Sequence, residues 1–158
     1  MNESNFSVNH SVDPAVAAFK AKLEAGGVEA AIAFLNSRTP FRYSAIFRLE
    51  GDQIRNLYLY DREHQTISQP HPMPLRESFC QIVVDEGIFT TAHSAVDARV
   101  DGHPKQGVLN AYFGLPLVDT PGSIFGTFCH FDPEPKSLDT PEIPFLETVT
   151  PLLMPYLK

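Results

Sequence analysis

The chain has 158 residues, 43% hydrophobic and 20% charged, a composition that supports one substantial core and gives no argument for disorder. Its formal net charge of −7 comes without a cluster of Lys and Arg, which weighs against a nucleic-acid or anionic-membrane partner. No apolar run reaches bilayer length, the polar start MNESNFSVNHS lacks a secretory pattern, and two cysteines are too few for a disulfide framework, so a reduced cytoplasmic protein is expected.

Residues 1–12 read as a loose arm. Asp13-Pro14 is a helix start, with a capping carboxylate and a proline where its missing N–H costs nothing. Val16, Phe19 and Leu23 recur at helical spacing until Gly26-Gly27 interrupts them. A second helical piece, Val28–Asn36, carries Ala31, Ile32 and Leu35 and ends at Thr39-Pro40. Strand alternation then runs over Phe41–Leu49, turns at Glu50-Gly51-Asp52 and returns over Gln53–Tyr60. Residues 61–74 hold three prolines and read as a surface connection, with one short strand near Thr66-Ile67. Leu75–Glu86 regains helical spacing and stops at Gly87; Ile88–Ala92 is a short strand, and His93–Gln106 a polar excursion.

Two richer strands follow, Val108–Val118 and Ser123–Asp132, joined at Thr120-Pro121-Gly122-Ser123, which suits a type II turn. Leu109, Ala111, Phe113, Leu115 and Leu117 fall on one side of the alternation, Val108, Tyr112 and Val118 on the other. A strand pair apolar on both faces belongs inside a sheet that is covered above and below. After Pro133-Glu134-Pro135, Asp139 and Glu142 have capping-box spacing for a last helix to Leu157, in which Pro151 predicts a kink. The class is α+β with a mostly antiparallel sheet, terminal helices on one face and the middle helix with the two polar loops on the other.

The residues Ser78-Phe79-Cys80, Thr90, His93, Asp97, Arg99, Gly102-His103-Pro104, Tyr112-Phe113-Gly114-Leu115-Pro116-Leu117, Gly122 and Gly126-Thr127-Phe128-Cys129-His130-Phe131-Asp132 together resemble a GAF domain. The resemblance covers about residue 41 to 132. It implies residues 13–158 as one such domain, a six-stranded antiparallel sheet, and a small-molecule pocket under loops on the face away from the terminal helices. Gly114 and Gly126 would let a helix or ligand approach the backbone closely. Such modules sense a ligand and pass the signal through their terminal helices, and no output domain follows in this sequence. The motif of the cyclic-nucleotide-binding members is absent, so that ligand is not expected, and the cofactor is left unknown.

Candidate ligand-binding residues are Tyr60, Phe79, Cys80, Thr90, His93, Asp97, Tyr112 and Thr127, with Tyr58 and Phe125 as further possible lining. Cys80 is either a redox-responsive thiol or pocket wall, or a small buried hydrophobe. Cys129-His130 matches a chromophore-holding dipeptide of some bilin-carrying GAF domains, but in a strand the two side chains diverge, and Cys129 is expected as a buried structural thiol. The spacing of His93, Asp97, Asp101 and His103 fits no familiar metal pattern, so a metal is not expected. Free-methionine-sulfoxide reductases share the GAF resemblance, yet their catalytic cysteine lies in a loop that here, His103–Asn110, holds none. Catalytic residues are not assigned; a homodimer through the terminal helices is the alternative to a ligand-binding module.

Overall fold

The computed structural model describes residues 13–67, 70–120 and 122–157. The expected arm over residues 1–12 and Pro121 of the tight turn lie outside them. Helix α1 is Pro14–Ser37, followed by strands β1 (Tyr43–Glu50), β2 (Gln53–Asp61), β3 (Thr66–Ile67) and β4 (Pro72–Pro74). A 3-10 turn at Leu75–Glu77 leads into α2 (Cys80–Glu86), β5 (Phe89–Thr91) and two more 3-10 turns, Ser94–Val96 and Ala98–Val100. Strands β6 (Ala111–Thr120) and β7 (Ser123–Asp132) precede α3 (Glu142–Val149), a 3-10 segment Thr150–Leu153 and α4 (Met154–Leu157).

The described pairings are antiparallel and run in the order β3-β2-β1-β7-β6-β5, with β4 added to β2. The β6–β7 hairpin therefore lies inside the sheet, as its two-sided apolar pattern predicts. The sheet has seven strands rather than six because Pro72–Pro74 pairs with β2. Proline, which cannot donate to a ladder, is tolerated at such an edge.

Alternation along the strands splits the core in two. Ala111, Phe113, Leu115, Leu117 and Phe128 pack with Phe19, Ile32, Leu35, Leu146 and Leu153 of the terminal helices. Ala45, Phe47, Tyr112, Cys129 and Phe131 face the other way and pack with Phe79, Cys80, Val83 and Phe89. The glycines of the hairpin serve the sheet itself. The Tyr112 ring covers Gly114, and Gly126 lies against the Phe47 carbonyl of β1.

Local expectations meet tertiary structure in several places. Asp13 Oδ1 accepts from the Ala15 amide at 2.8 Å, the cap its position predicts. The break at Gly26-Gly27 is a kink inside one long helix, with Gly27 at φ 75° and ψ −164°. The middle helix does not start at Leu75. Ser78 is extended, at φ −120° and ψ 149°, and its hydroxyl accepts from the Cys80 amide at 3.0 Å. β6 starts at Ala111 rather than Val108, because Leu109 still hydrogen-bonds within the preceding loop, its amide donating to the Lys105 carbonyl at 3.0 Å. The last helix passes through a 3-10 segment at Pro151, where a kink is expected.

The capping box does not form. Among the described residues no side chain caps α3, and Glu142 instead receives both Nε and Nη2 of Arg38 at 2.9 Å, clamping the end of α1 to the start of α3. This bidentate pair is 30% exposed on the Arg38 side and 9% on the Glu142 side. Glu142→Ala is expected to cost about 1–2 kcal/mol in urea unfolding, since it leaves a half-buried guanidinium without its partner. A loss no larger than that of an ordinary surface substitution would contradict the clamp.

A buried polar chain ties α1 to the sheet beside that clamp. Arg62 Nε donates to Asn36 Oδ1 at 2.8 Å, and its Nη2 to the carbonyls of Asn36 and Thr39. Asn36 Nδ2 donates to the Phe41 carbonyl at 3.0 Å and to Ser44 Oγ at 2.8 Å. Ser44 Oγ lies 2.6 Å from His130 Nδ1. A hydroxyl that accepts from Asn36 keeps its own hydrogen to donate to Nδ1, which leaves the imidazole N–H on Nε2. Nε2 is buried without a partner among the described residues. The ring sits among Phe41, Phe113 and Phe128, and burial, then the Arg62 charge, pushes its pKa down to about 3.

Candidate functional site

On the sheet face opposite the terminal helices there is a cavity of about 180 Å³. Strands build its floor by alternation, with a bulge in β2 bringing both Asn56 and Leu59 to this face beside Phe47 of β1, Tyr112 of β6, and Cys129 and Phe131 of β7. Met73 of β4, Cys80 of α2, and Ser78, Lys105, Leu109 and His71 of the connections complete it. Among the described residues no carboxylate lines the cavity.

Polar groups on the wall are held in place. Asn56, 2% exposed, accepts the His71 amide on Oδ1 at 2.8 Å and so fixes the chain entering β4. His103 packs against Phe79 with the rings tilted by 41° and their centroids 4.6 Å apart, donates from Nε2 to the Ser78 carbonyl at 3.2 Å and accepts the Lys105 amide on Nδ1 at 3.0 Å. Burial, then the nearby Lys105 charge, lowers the His103 pKa, which favours the neutral ring that this bonding needs. The imidazole thereby pins the Lys105 loop to the start of α2.

Sulfur chemistry gathers at the floor. Cys80 Sγ lies 3.2 Å from Thr127 Oγ1 and 3.4 Å from Tyr112 Oη. A hydrogen bond from Cys129, opposed by burial and helped by Ser78, Thr127 and Tyr112, brings the Cys80 pKa down to about 6. Burial holds Cys129 and Tyr112 in their protonated forms, well above their ordinary pKa values.

Of the candidate residues read from sequence, Cys80 and Tyr112 line the cavity, with Thr127 behind Cys80 and Phe79 packed on Tyr112 at 5.4 Å. Tyr60 does not: it pairs with Ser44 and packs with the helix-side core, as does Tyr58. A bulge at Leu57 causes this, since the register passes from Ile46↔Tyr58 to Phe47↔Asn56 and reverses which residues face the cavity. Phe125 also joins the helix-side core.

Thr90 pairs with Phe113, a helix-side residue, and is exposed, its carbonyl accepting Arg99 Nη2 at 2.8 Å. His93 is exposed on the outer loop. Asp97 accepts Arg99 Nε at 3.0 Å and Nη2 at 2.6 Å, and this bonding, joined by Thr91, holds its carboxyl well below the usual range. None of Thr90, His93 and Asp97 reaches the cavity. Asp101 accepts Gln106 Nε2 at 3.0 Å, and among the described residues no three His, Cys, Asp or Glu side chains converge on a metal position.

Lys105, His71, Asn56, Met73 and Leu109 are among the lining residues that sequence reading missed. One signal was available: Lys105 is the sole lysine of the polar stretch 93–106.

No model of a protein family matches this chain, and no curated protein matches it significantly. Solved structures do. The GAF domain of a phosphoenolpyruvate-protein phosphotransferase from Acinetobacter superposes with a TM-score of 0.68 at 12% identity, over 97% of this chain and 92% of that one. The chromophore-binding domain of a bacteriophytochrome from R. palustris gives 0.68 at 8% identity, over 99% of this chain and 62% of that one. A free methionine-R-sulfoxide reductase from Neisseria meningitidis, in complex with its substrate, gives 0.62 at 11% identity, over 88% and 83%. At these identities the likeness is one of fold.

Proposed function

Starting from the GAF fold of this chain, we propose that it is a sensory module that takes a small organic molecule into the cavity over β6 and β7. The observation that carries this reading is the partly enclosed, largely apolar space on the loop-covered face, lined by Phe47, Leu59, Met73, Leu109, Tyr112 and Phe131. Its size, about 180 Å³, lies below that of usual drug-sized sites and selects a compact metabolite. Lys105 at the wall, with no carboxylate beside it there, favours an anionic head group. The two free thiols suit a reducing, cytoplasmic setting, and no described helix is long and apolar enough to cross a membrane.

Native mass spectrometry of the purified chain, before and after denaturation, is the direct test, and a released small molecule is the expected result. Titration with short aliphatic and aromatic monocarboxylates, set against their amides, then reads the head group. Lys105→Gln is expected to weaken the carboxylates about tenfold and leave the amides unchanged. Leu109→Trp should abolish both by filling the space. An empty protein that binds neither series would overturn the ligand reading.

A second reading, pairing of two copies through the terminal helices, has the half-buried Phe34 and the 49% exposed Tyr156 as its observation. Sedimentation at micromolar concentration showing only monomer would remove it. A reductase reading would rest on Cys80, and is read by turnover of free methionine sulfoxide that Cys80→Ser abolishes.

A further inference from the structure

The only two cysteines of the chain are 49 residues apart in sequence and meet at one cavity floor. A cysteine kept only as a small hydrophobe has no need of polar company. Cys80 Sγ instead has the Thr127 hydroxyl, the Tyr112 hydroxyl and the Cys129 thiol around it. Three groups able to donate to one sulfur favour its anionic form. The neighbouring Cys129 stays a protonated thiol, because burial and the proximity of Cys80 both raise its pKa. An ionised sulfur beside a protonated one is the arrangement of an attacking and a resolving thiol. Both side chains are closed to bulk water, so any reagent must come through the cavity and be small.

We propose that Cys80 and Cys129 form a peroxide-reactive dithiol, an activity separate from reversible ligand binding. The Cys80 thiolate attacks one oxygen of a small hydroperoxide; an S–O bond forms and the O–O bond breaks. Cys80 is oxidised by two electrons to the sulfenic acid, and the departing alkoxide or hydroxide takes a proton from water. The Cys129 sulfur then attacks Cys80; the S–S bond forms, the S–O bond breaks, and the thiol proton leaves with the hydroxide as water. In sum, two thiols and one hydroperoxide give a disulfide, an alcohol and water, with hydrogen peroxide giving two waters. A dithiol reductant resets the pair.

The test uses the full chain with hydrogen peroxide as the probe and intact mass as the readout. The native protein is expected to lose about 2 Da, reversibly with dithiothreitol, and to react about tenfold faster at neutral pH than the urea-unfolded chain. Cys129→Ser should stop at the sulfenic acid, about 16 Da heavier and captured by a cyclic dione. Cys80→Ser should be inert at the same peroxide dose. The rate should titrate around the lowered pKa of Cys80, about 6, and not around that of a free thiol. Native protein that oxidises no faster than the unfolded chain would overturn the proposal, because two merely structural thiols are shielded by folding. Equal reactivity of the two serine variants would do the same.

Discussion

Gly126→Ala is expected to destabilise the fold by at least about 3 kcal/mol, or to prevent recovery of soluble protein. A methyl group built on Gly126 falls on the Phe47 carbonyl of β1, 2.8 Å from its carbon and 3.0 Å from Arg48 Cα. These are backbone atoms in the middle of the sheet, so no rotamer change relieves the clash. β1 and β7 would have to separate where Phe47 pairs with Thr127 and Arg48 with Gly126. Gly122→Ala is the matching control. Gly122 has φ +84° in the hairpin turn and nothing within 4 Å of an added methyl, so only the backbone conformation is penalised there, by about 1 kcal/mol. Urea unfolding of both variants separates the two causes; equal losses would mean that the close approach at Gly126 has no special weight.

Acid is expected to unfold the protein through His130 well before its carboxylates titrate. Its pKa is about 3 in the folded chain against 6.5 for the free side chain, so from pH 6.5 downward the unfolded state binds a proton that the native state refuses. The His130 contribution is complete above pH 6.5 and falls by about 1.4 kcal/mol for each pH unit below it, toward a total of about 4–5 kcal/mol near pH 3, while the lowered Cys80 thiol adds its own slope chiefly above pH 6. His103, also lowered, adds a slope of the same sign. Asp61, held low by Arg42, and Asp97, held low by Arg99, add theirs only below their ordinary range near 3.8. The interval from pH 6.5 to 4.5 therefore belongs mainly to His130. His130→Leu should flatten most of that slope, whatever it does to stability at pH 7.5. A wild-type profile already flat over the interval would remove histidine as the acid trigger.

The hairpin and its central place were legible because β6 and β7 are apolar on both faces, a local signal with one structural solution. The cap at Asp13 and the break at Gly27 were legible for the same reason: residue type alone decides them. What escaped depends on partners distant in sequence. Glu142 has capping-box spacing from Asp139, but Arg38 offers a stronger partner 104 residues away. β4 hides in a proline-rich stretch because its strand character comes from the open edge of β2. The cavity lining was legible only at two positions. Cys80 and Tyr112 follow from the resemblance and from alternation, whereas Tyr60 was misplaced by one inserted residue, Leu57, whose effect on parity appears only once the pairing with β1 is known.

Cys129 and His130 are consecutive residues on β7, one at the cavity floor and the other in the polar chain that secures α1. A molecule held in the proposed site and the helix would thus lean on opposite sides of a single peptide link. Thermodynamics then makes any influence between them mutual: a variant at Ser44 or Asn36 that changes guest affinity tenfold must itself be altered in helix docking by about 1.4 kcal/mol when the guest binds. A calorimeter watching one side would consequently report on both.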